Sequence, residues 1–177
     1  MISKLCVEIF KKAIDDYHIE NTINQAVQCN YKGDTLEYLL YLKCWIDTVQ
    51  WHMEDIIRNP AIDSIKGLKL KRDIDRSNQE RTNIVELIDD HFLRKFVGVV
   101  VNDNAKINTE SVAWVIDRLS ILTLKIFHMK EETLRTEATP KHRESCSTKL
   151  NILLEQSKDL SQSLDELWAP LFNVNMS

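Results

Sequence analysis

Between Trp114 and Met129 apolar residues fall on every side of a helix. With successive residues ~100° apart, Trp114, Val115, Ile116, Leu119, Ile121, Leu122, Leu124, Ile126, Phe127 and Met129 leave no solvent-facing stripe. A helix apolar all round must be enclosed by other elements. The rest of the chain therefore has to supply a surrounding layer. The segment is predicted to start at Asn108 or Thr109, run to about Arg135 and form the centre of the fold.

The punctuation of the sequence says what encloses it. Three Gly and three Pro in 177 residues is far below ordinary use, where Gly alone runs at roughly 7%. β-rich folds need these residues at their turns, so their scarcity favours long helices. A first helix is predicted over about Ser3–Tyr17, on Ile2, Leu5, Ile9, Ala13 and Tyr17. Ile19, Ile23 and Val27 have the spacing of a short further helix before Gly33. Asp34 and Glu37 form a capping-box pattern for a helix to Arg58, stopped by Asn59-Pro60. Its apolar stripe reads Tyr38, Leu42, Trp45, Val49, Met53 and Ile56. A third long helix covers about Leu68–Phe96, with an earlier start at Asp63-Ser64 also open. Gly98 ends it, and the β-branched run after it reads as extended, with a small hairpin through Asn102, Asp103 and Asn104. Thr139-Pro140 is a cap followed by proline at the first helical position. The last helix carries Leu150, Ile152, Leu153, Leu160, Leu164 and Leu167 and is expected to end before Pro170. The expected fold is all-α, one domain over residues 1–177. It is an antiparallel bundle of four long helices plus a shorter N-terminal helix, with the fourth helix central.

Charge and cysteine usage narrow the function classes. Acids and bases are interleaved at a net charge of −4, with no basic block, so nucleic acid is not an expected partner. Cys6, Cys29, Cys44 and Cys146 have no metal-binding spacing and read as reduced thiols. The stretch MISKLCVEIFKKAI has charges threaded through it and no cleavage pattern, unlike a signal peptide. The longest apolar runs, Tyr38–Leu42 and Phe96–Val101, fall far short of the ~20 residues of a membrane span. No membrane partner is expected, and the cytoplasm is the expected address.

Polar residues interrupt three of the apolar faces. On the third helix Ser77, Asn78 and Arg81 fill the stripe between Ile74 and Ile84, bordered by Asp75 and Asp89. His52 lies between Val49 and Ile56, with Asp55 three residues on and so on the same side. On the fourth helix Asp117 and His128 share one side, and Arg118 and Lys125 another. Buried charges need partners, and Asp55, Asp75, Asp89 and Asp117 can supply them. One reading is a structural network that locks helix register in a non-enzymatic interaction protein. The other is a site between helices for a small anionic ligand, phosphate- or sugar-nucleotide-like. Arg81, Arg118 and Lys125 would supply positive charge and Asn78 would orient the ligand. His52 would carry protons as a catalytic pair with Asp55. Asp75, Glu86, Asp89, Asp117 and His128 complete the candidate ligand-binding set.

A divalent metal is a further expectation. His52-x-x-Asp55 and Glu86-x-x-Asp89 have ligand spacing, which admits a mononuclear Mg or Mn site built from carboxylates. A di-iron bundle needs a Glu-x-x-His pair on each of two helices; here there is one pair, in reversed order. No nucleotide loop, GxSxG or HExxH occurs, and nothing supports a Ser or Cys nucleophile.

Trp51-His52-Met53-Glu54-Asp55 reads as a WHxED motif. A second block is Lys71-Arg72-Asp73-Ile74-Asp75, Asn78-Gln79-x-Arg81 and Glu86-x-Ile88-Asp89. A third is Asn108-Thr109-Glu110 with Asp117-Arg118-Leu119-Ser120-Ile121-Leu122-x-Leu124-Lys125-Ile126-x-His128-Met129. Together they resemble the bacterial family catalogued as domain of unknown function 4254, over about Trp45 to Arg135. The resemblance implies the helical fold, the polar site and a further polar tail past the fifth helix, and it supplies no reaction. Glu86-x-x-Asp89 is also similar to one of the two carboxylate pairs that hold Mg in all-helical nucleotide pyrophosphohydrolases. Their other pair is missing, since Ile57 follows Glu54 at the third place.

Overall fold

A computed structural model describes residues 1–99 and 107–173, with side chains through residue 169. Among the described residues five helices appear in order: α1 Ile2–Glu20, α2 Leu36–Ile57, α3 Ser64–Lys95, α4 Val112–Leu134 and α5 Pro140–Asn173. No strand occurs among the described residues. The expected hairpin through Asn102–Asn104 lies outside them.

Local chemistry sets the ends, not always where the sequence suggests. α1 continues past Tyr17 to Glu20 and stops on Asn21, whose left-handed backbone (φ 53°) returns its N–H to the Tyr17 carbonyl. Asn tolerates this conformation better than most residues. The expected short helix after it does not form. Residues 21–35 run as a loop pinned by Gln25 Nε2 on the Tyr17 carbonyl and by the Tyr41 hydroxyl on the Gln28 carbonyl. The cap of α2 is Thr35 rather than Asp34, because Thr35 has the extended backbone of a cap and accepts from the Tyr38 N–H. α3 takes the earlier start, capped by Asp63 on the N–H groups of Ile65 and Lys66. Gly98, at φ +87°, turns the chain after it. Ser111, not Asn108 or Thr109, caps α4: its Oγ accepts from the Trp114 N–H and donates to the Asp89 carboxylate at 2.7 Å. α5 passes Pro170 and ends at Asn173. Pro170 has no N–H for the carbonyl one turn back, so it takes one hydrogen bond out of the ladder without ending the helix there.

The helices pack as a bundle in which α2, α3, α4 and α5 are antiparallel to their neighbours in sequence. Gln50 reaches Asn78, Arg81 reaches Asp117, Asp89 reaches Ser111 and Glu132 reaches His142. The 21–35 loop lets α1 return in the same sense as α2, so that Phe10 meets Cys44 and His18 meets His52. α4 touches all four other helices and is the central element. It is not enclosed on every side, however: Trp114, Arg118 and Lys125 open a stripe to solvent.

Phe10, Ile14, Tyr17, Leu40, Tyr41, Trp45, Ile88, Ile116, Leu119 and Leu124 form the core. Each such burial stabilises by ~1.5–3 kcal/mol relative to exposure. α2 is rotated from the stripe drawn in sequence. Its buried residues are Leu40, Tyr41, Lys43, Cys44, Trp45, Asp47 and Thr48, while Ile56 is exposed. Three of those seven are polar, which is why hydrophobicity alone misplaces the face. No described helix is long and apolar enough to cross a membrane.

Candidate functional site

Two polar centres lie inside the bundle. The first holds four charges in balance. Lys43 of α2 is fully buried and pairs with Asp47, one turn on. Its ammonium also lies 2.8 Å from Asp117 of α4. Arg81 of α3 closes the group with two hydrogen bonds to Asp117, 2.9 Å from Nε and 3.1 Å from Nη2. The Ser120 hydroxyl donates to Asp47 at 2.6 Å. Burial pushes the Asp47 carboxyl above its usual range, only partly offset by Lys43. Burial acts the same way on Asp117, but the Arg81 hydrogen bonds and Lys43 outweigh it and hold that carboxyl below its usual range. Three helices are thus stapled by a neutral, satisfied cluster, the arrangement a buried ion network needs.

The second centre is a group of imidazoles. His18 near the end of α1, His52 of α2 and His128 of α4 bring ring nitrogens within 4.8 Å of one another. His18 Nδ1 lies 2.7 Å from the Ile14 carbonyl. A carbonyl only accepts, so Nδ1 carries a proton, and in the neutral ring that leaves Nε2 as the lone pair. His128 Nδ1 is bonded the same way, to the Glu131 carboxylate at 3.0 Å. His52 Nε2 lies 3.3 Å from His18 Nε2. His128 Nε2 is buried and has no hydrogen-bond partner among the described residues. Aromatic rings wall the group: Tyr17 stacks on His52, Trp51 on His128, and Phe127 lies 4.4 Å from His18. Burial first, then the neighbouring imidazoles, lowers the affinity of His52 for a proton. Burial lowers that of His128 too, against the opposing pull of Glu131.

The other sequence-predicted residues scatter. Asp55 turns to solvent and pairs with Arg58 instead of orienting His52. Asp75 is exposed and pairs with Lys71. Asn78 is an exposed partner of Gln50. Glu86 faces solvent. Asp89 serves the α4 cap. Arg118 is exposed against Glu110. The carboxylate metal set therefore does not assemble: neither group of potential ligands among the described residues contains Asp55, Glu86 or Asp89. The second such group is Glu132, His142 and Cys146, between α4 and α5.

Sequence reasoning missed Lys43, Asp47, Ser120 and His18. Lys43 and Asp47 did leave a signal, an i,i+4 charge pair among Leu40, Tyr41, Cys44 and Trp45. His18 left none, because the predicted first helix ends at Tyr17, one residue short of it, whereas α1 continues to Glu20.

Two clefts adjoin these centres. A small one of about 180 Å³ is lined by Asp47, Gln50, Trp51, Glu54, Arg58 and Arg81. Its two cations face two carboxylates. A larger groove of about 470 Å³ runs between α4 and α5, lined by Trp51, Lys125, His128, Met129, Glu132, Lys149, Ile152, Leu153 and Gln156. Trp51 and His128 put this groove against the imidazole group.

No curated protein and no solved structure matches the chain. The family described as "Protein of unknown function (DUF4254)" matches residues 37–175, from the first turn of α2 past the end of α5. That is well over half of the sequence, and the chain belongs to this family.

Proposed function

We propose that the chain binds a small anion with an apolar or aromatic body, of the phosphate- or sugar-nucleotide-like kind, in the groove between α4 and α5. The observation that carries this is the pairing of an apolar floor with free positive charge. Trp51, Met129, Ile152 and Leu153 supply the floor, and Lys125 and Lys149 line the same groove with no acidic partner among the described residues. Pockets for small ligands combine a mostly apolar lining with a few polar anchors. Arg81 and Arg118, which the sequence offered as anchors, have carboxylate partners already. Of the three cations only Lys125 remains available to a ligand.

The competing reading, a non-enzymatic protein with a structural polar core, is favoured at one place. The Lys43–Asp47–Asp117–Arg81 cluster is satisfied without any ligand, and we assign it to register rather than to binding. A thermal-shift screen separates the two. Inorganic phosphate, nucleoside monophosphates, sugar nucleotides and an uncharged nucleoside would each be titrated against the protein. A ligand of the native state must raise the melting temperature. The expected result is a rise with the charged nucleotides, none with the nucleoside, and loss of the rise in Lys125→Gln/Lys149→Gln. A flat screen would sink the groove reading.

A further inference from the structure

We propose that His18, His52 and His128 form a binding site for one divalent transition-metal ion of the zinc type, held through three Nε2 atoms with a further coordination position left open. The tautomers argue for this first. His18 and His128 each spend the Nδ1 proton on an acceptor, the Ile14 carbonyl and the Glu131 carboxylate. Both therefore turn a bare Nε2 inward. A proton on His52 Nε2 can bridge to His18, 3.3 Å away, but nothing then serves His128 Nε2, a buried acceptor without a partner. Orphaned buried polar atoms are uncommon in native proteins and call for an explanation. A cation answers all three lone pairs at once.

The geometry and the surroundings agree. Zinc sits ~2.0–2.1 Å from imidazole nitrogen in a tetrahedral set, which places neighbouring nitrogens about 3.4 Å apart. The His18–His52 pair has that spacing, and one ring nitrogen of each of the three residues lies within 4.8 Å of the others, so ring rotations close the set. Metal-bound His almost always donates its other N–H to a carbonyl or carboxylate, as His18 and His128 do. The walls of Tyr17, Trp51 and Phe127 form the apolar shell that strengthens such bonds. Neutral imidazoles suit zinc, cobalt, nickel and iron(II) and disfavour magnesium or calcium. Three protein ligands rather than four is the pattern of ions that act on a bound water or substrate. The inference stands apart from the groove reading, since the three rings hold the ion whether or not the groove holds an anion.

The test uses untagged full-length protein stripped with chelator and titrated with Co²⁺. We expect saturation at one equivalent, the strong visible bands of four- or five-coordinate cobalt, and their displacement by Zn²⁺. His52→Gln and His128→Gln should weaken binding at least tenfold. Glu131→Gln, on the protein surface, does not threaten the fold; it should weaken binding roughly tenfold and shift the bands, because it acts only by orienting His128. His142→Gln, in the Glu132–His142–Cys146 group, should change nothing. Absence of one-equivalent binding in the unmutated protein would overturn the proposal. So would cobalt bands that survive both Glu131→Gln and His128→Gln, or that vanish in His142→Gln.

Discussion

Arg81 of α3 grips Asp117 of α4 through two hydrogen bonds, and the same carboxylate lies 2.8 Å from the buried ammonium of Lys43 on α2. One aspartate therefore ties three helices. Arg81→Leu restores an apolar stripe with Ile74, Ile84 and Ile88 but takes away half of that tie. Charge-assisted hydrogen bonds are worth ~1.5–3 kcal/mol. Arg81 retains about a quarter of its side-chain exposure, and Lys43 still faces Asp117, so we expect a loss on the order of 2 kcal/mol. The sign with pH follows from Asp117, whose carboxyl is held below its ordinary value of 3.8 in the folded protein. Its contribution is complete above about pH 4 and is lost as pH falls through the folded value. The gap between the two proteins should be widest at neutral pH and narrow in acid, by urea melts at both.

Lys43→Met should be worse than Arg81→Leu. It leaves buried Asp47 with the Ser120 hydroxyl and only the more distant Arg81, at 3.8 Å, and removes one of two cations from Asp117. Breaking a buried ion pair costs ~3–5 kcal/mol. Because Asp47 and Lys43 cancel in charge, the double variant Lys43→Met/Asp47→Leu leaves the neutral Arg81–Asp117 pair and should regain much of the loss. A double-mutant cycle read by denaturant melts measures the coupling, and additive losses would show that the cluster is not a unit.

The four thiols should differ in reactivity. Cys6, Cys44 and Cys146 are buried and Cys29 is half-buried in the 21–35 loop. Burial also pushes the Cys6 and Cys44 thiols up to about 12, and only the thiolate attacks. Iodoacetamide on native protein, followed by peptide mass spectrometry, should label Cys29 first and reach Cys6 and Cys44 only on unfolding.

Ser111→Ala should cost about 1 kcal/mol, the usual loss of a helix cap. Ser111 also bonds Asp89, so Asp89→Asn should reproduce part of that loss and the two should not add. Thermal melts of the single and double variants check this.

Much of the site was legible piecemeal. Arg81, Asp117, His52 and His128 each interrupt an apolar face at helical spacing, and that interruption is a local signal. Their partners carried none of equal strength. In the sequence Lys43 and Asp47 are no more than an i,i+4 charge pair, and it is the rotation of α2 that turns them inward. Asp55 has the right spacing to serve His52, yet it lies where solvent and Arg58 compete for it.

The sequence carries the signals of the five long helices, because apolar periodicity, capping residues and the scarcity of Gly and Pro are local matters, though it also suggests a short helix on Ile19, Ile23 and Val27 that does not form. It determined that the fourth helix lies at the centre, since no other place can bury so many sides. Which polar groups meet was decided by the tertiary structure. His18, His52 and His128 are separated by long stretches of chain, and they converge because α1 continues to Glu20 and the loop after it returns the chain parallel to α2. Helix direction and rotation are set by how the whole core packs, a property of all five helices together that no window of sequence contains.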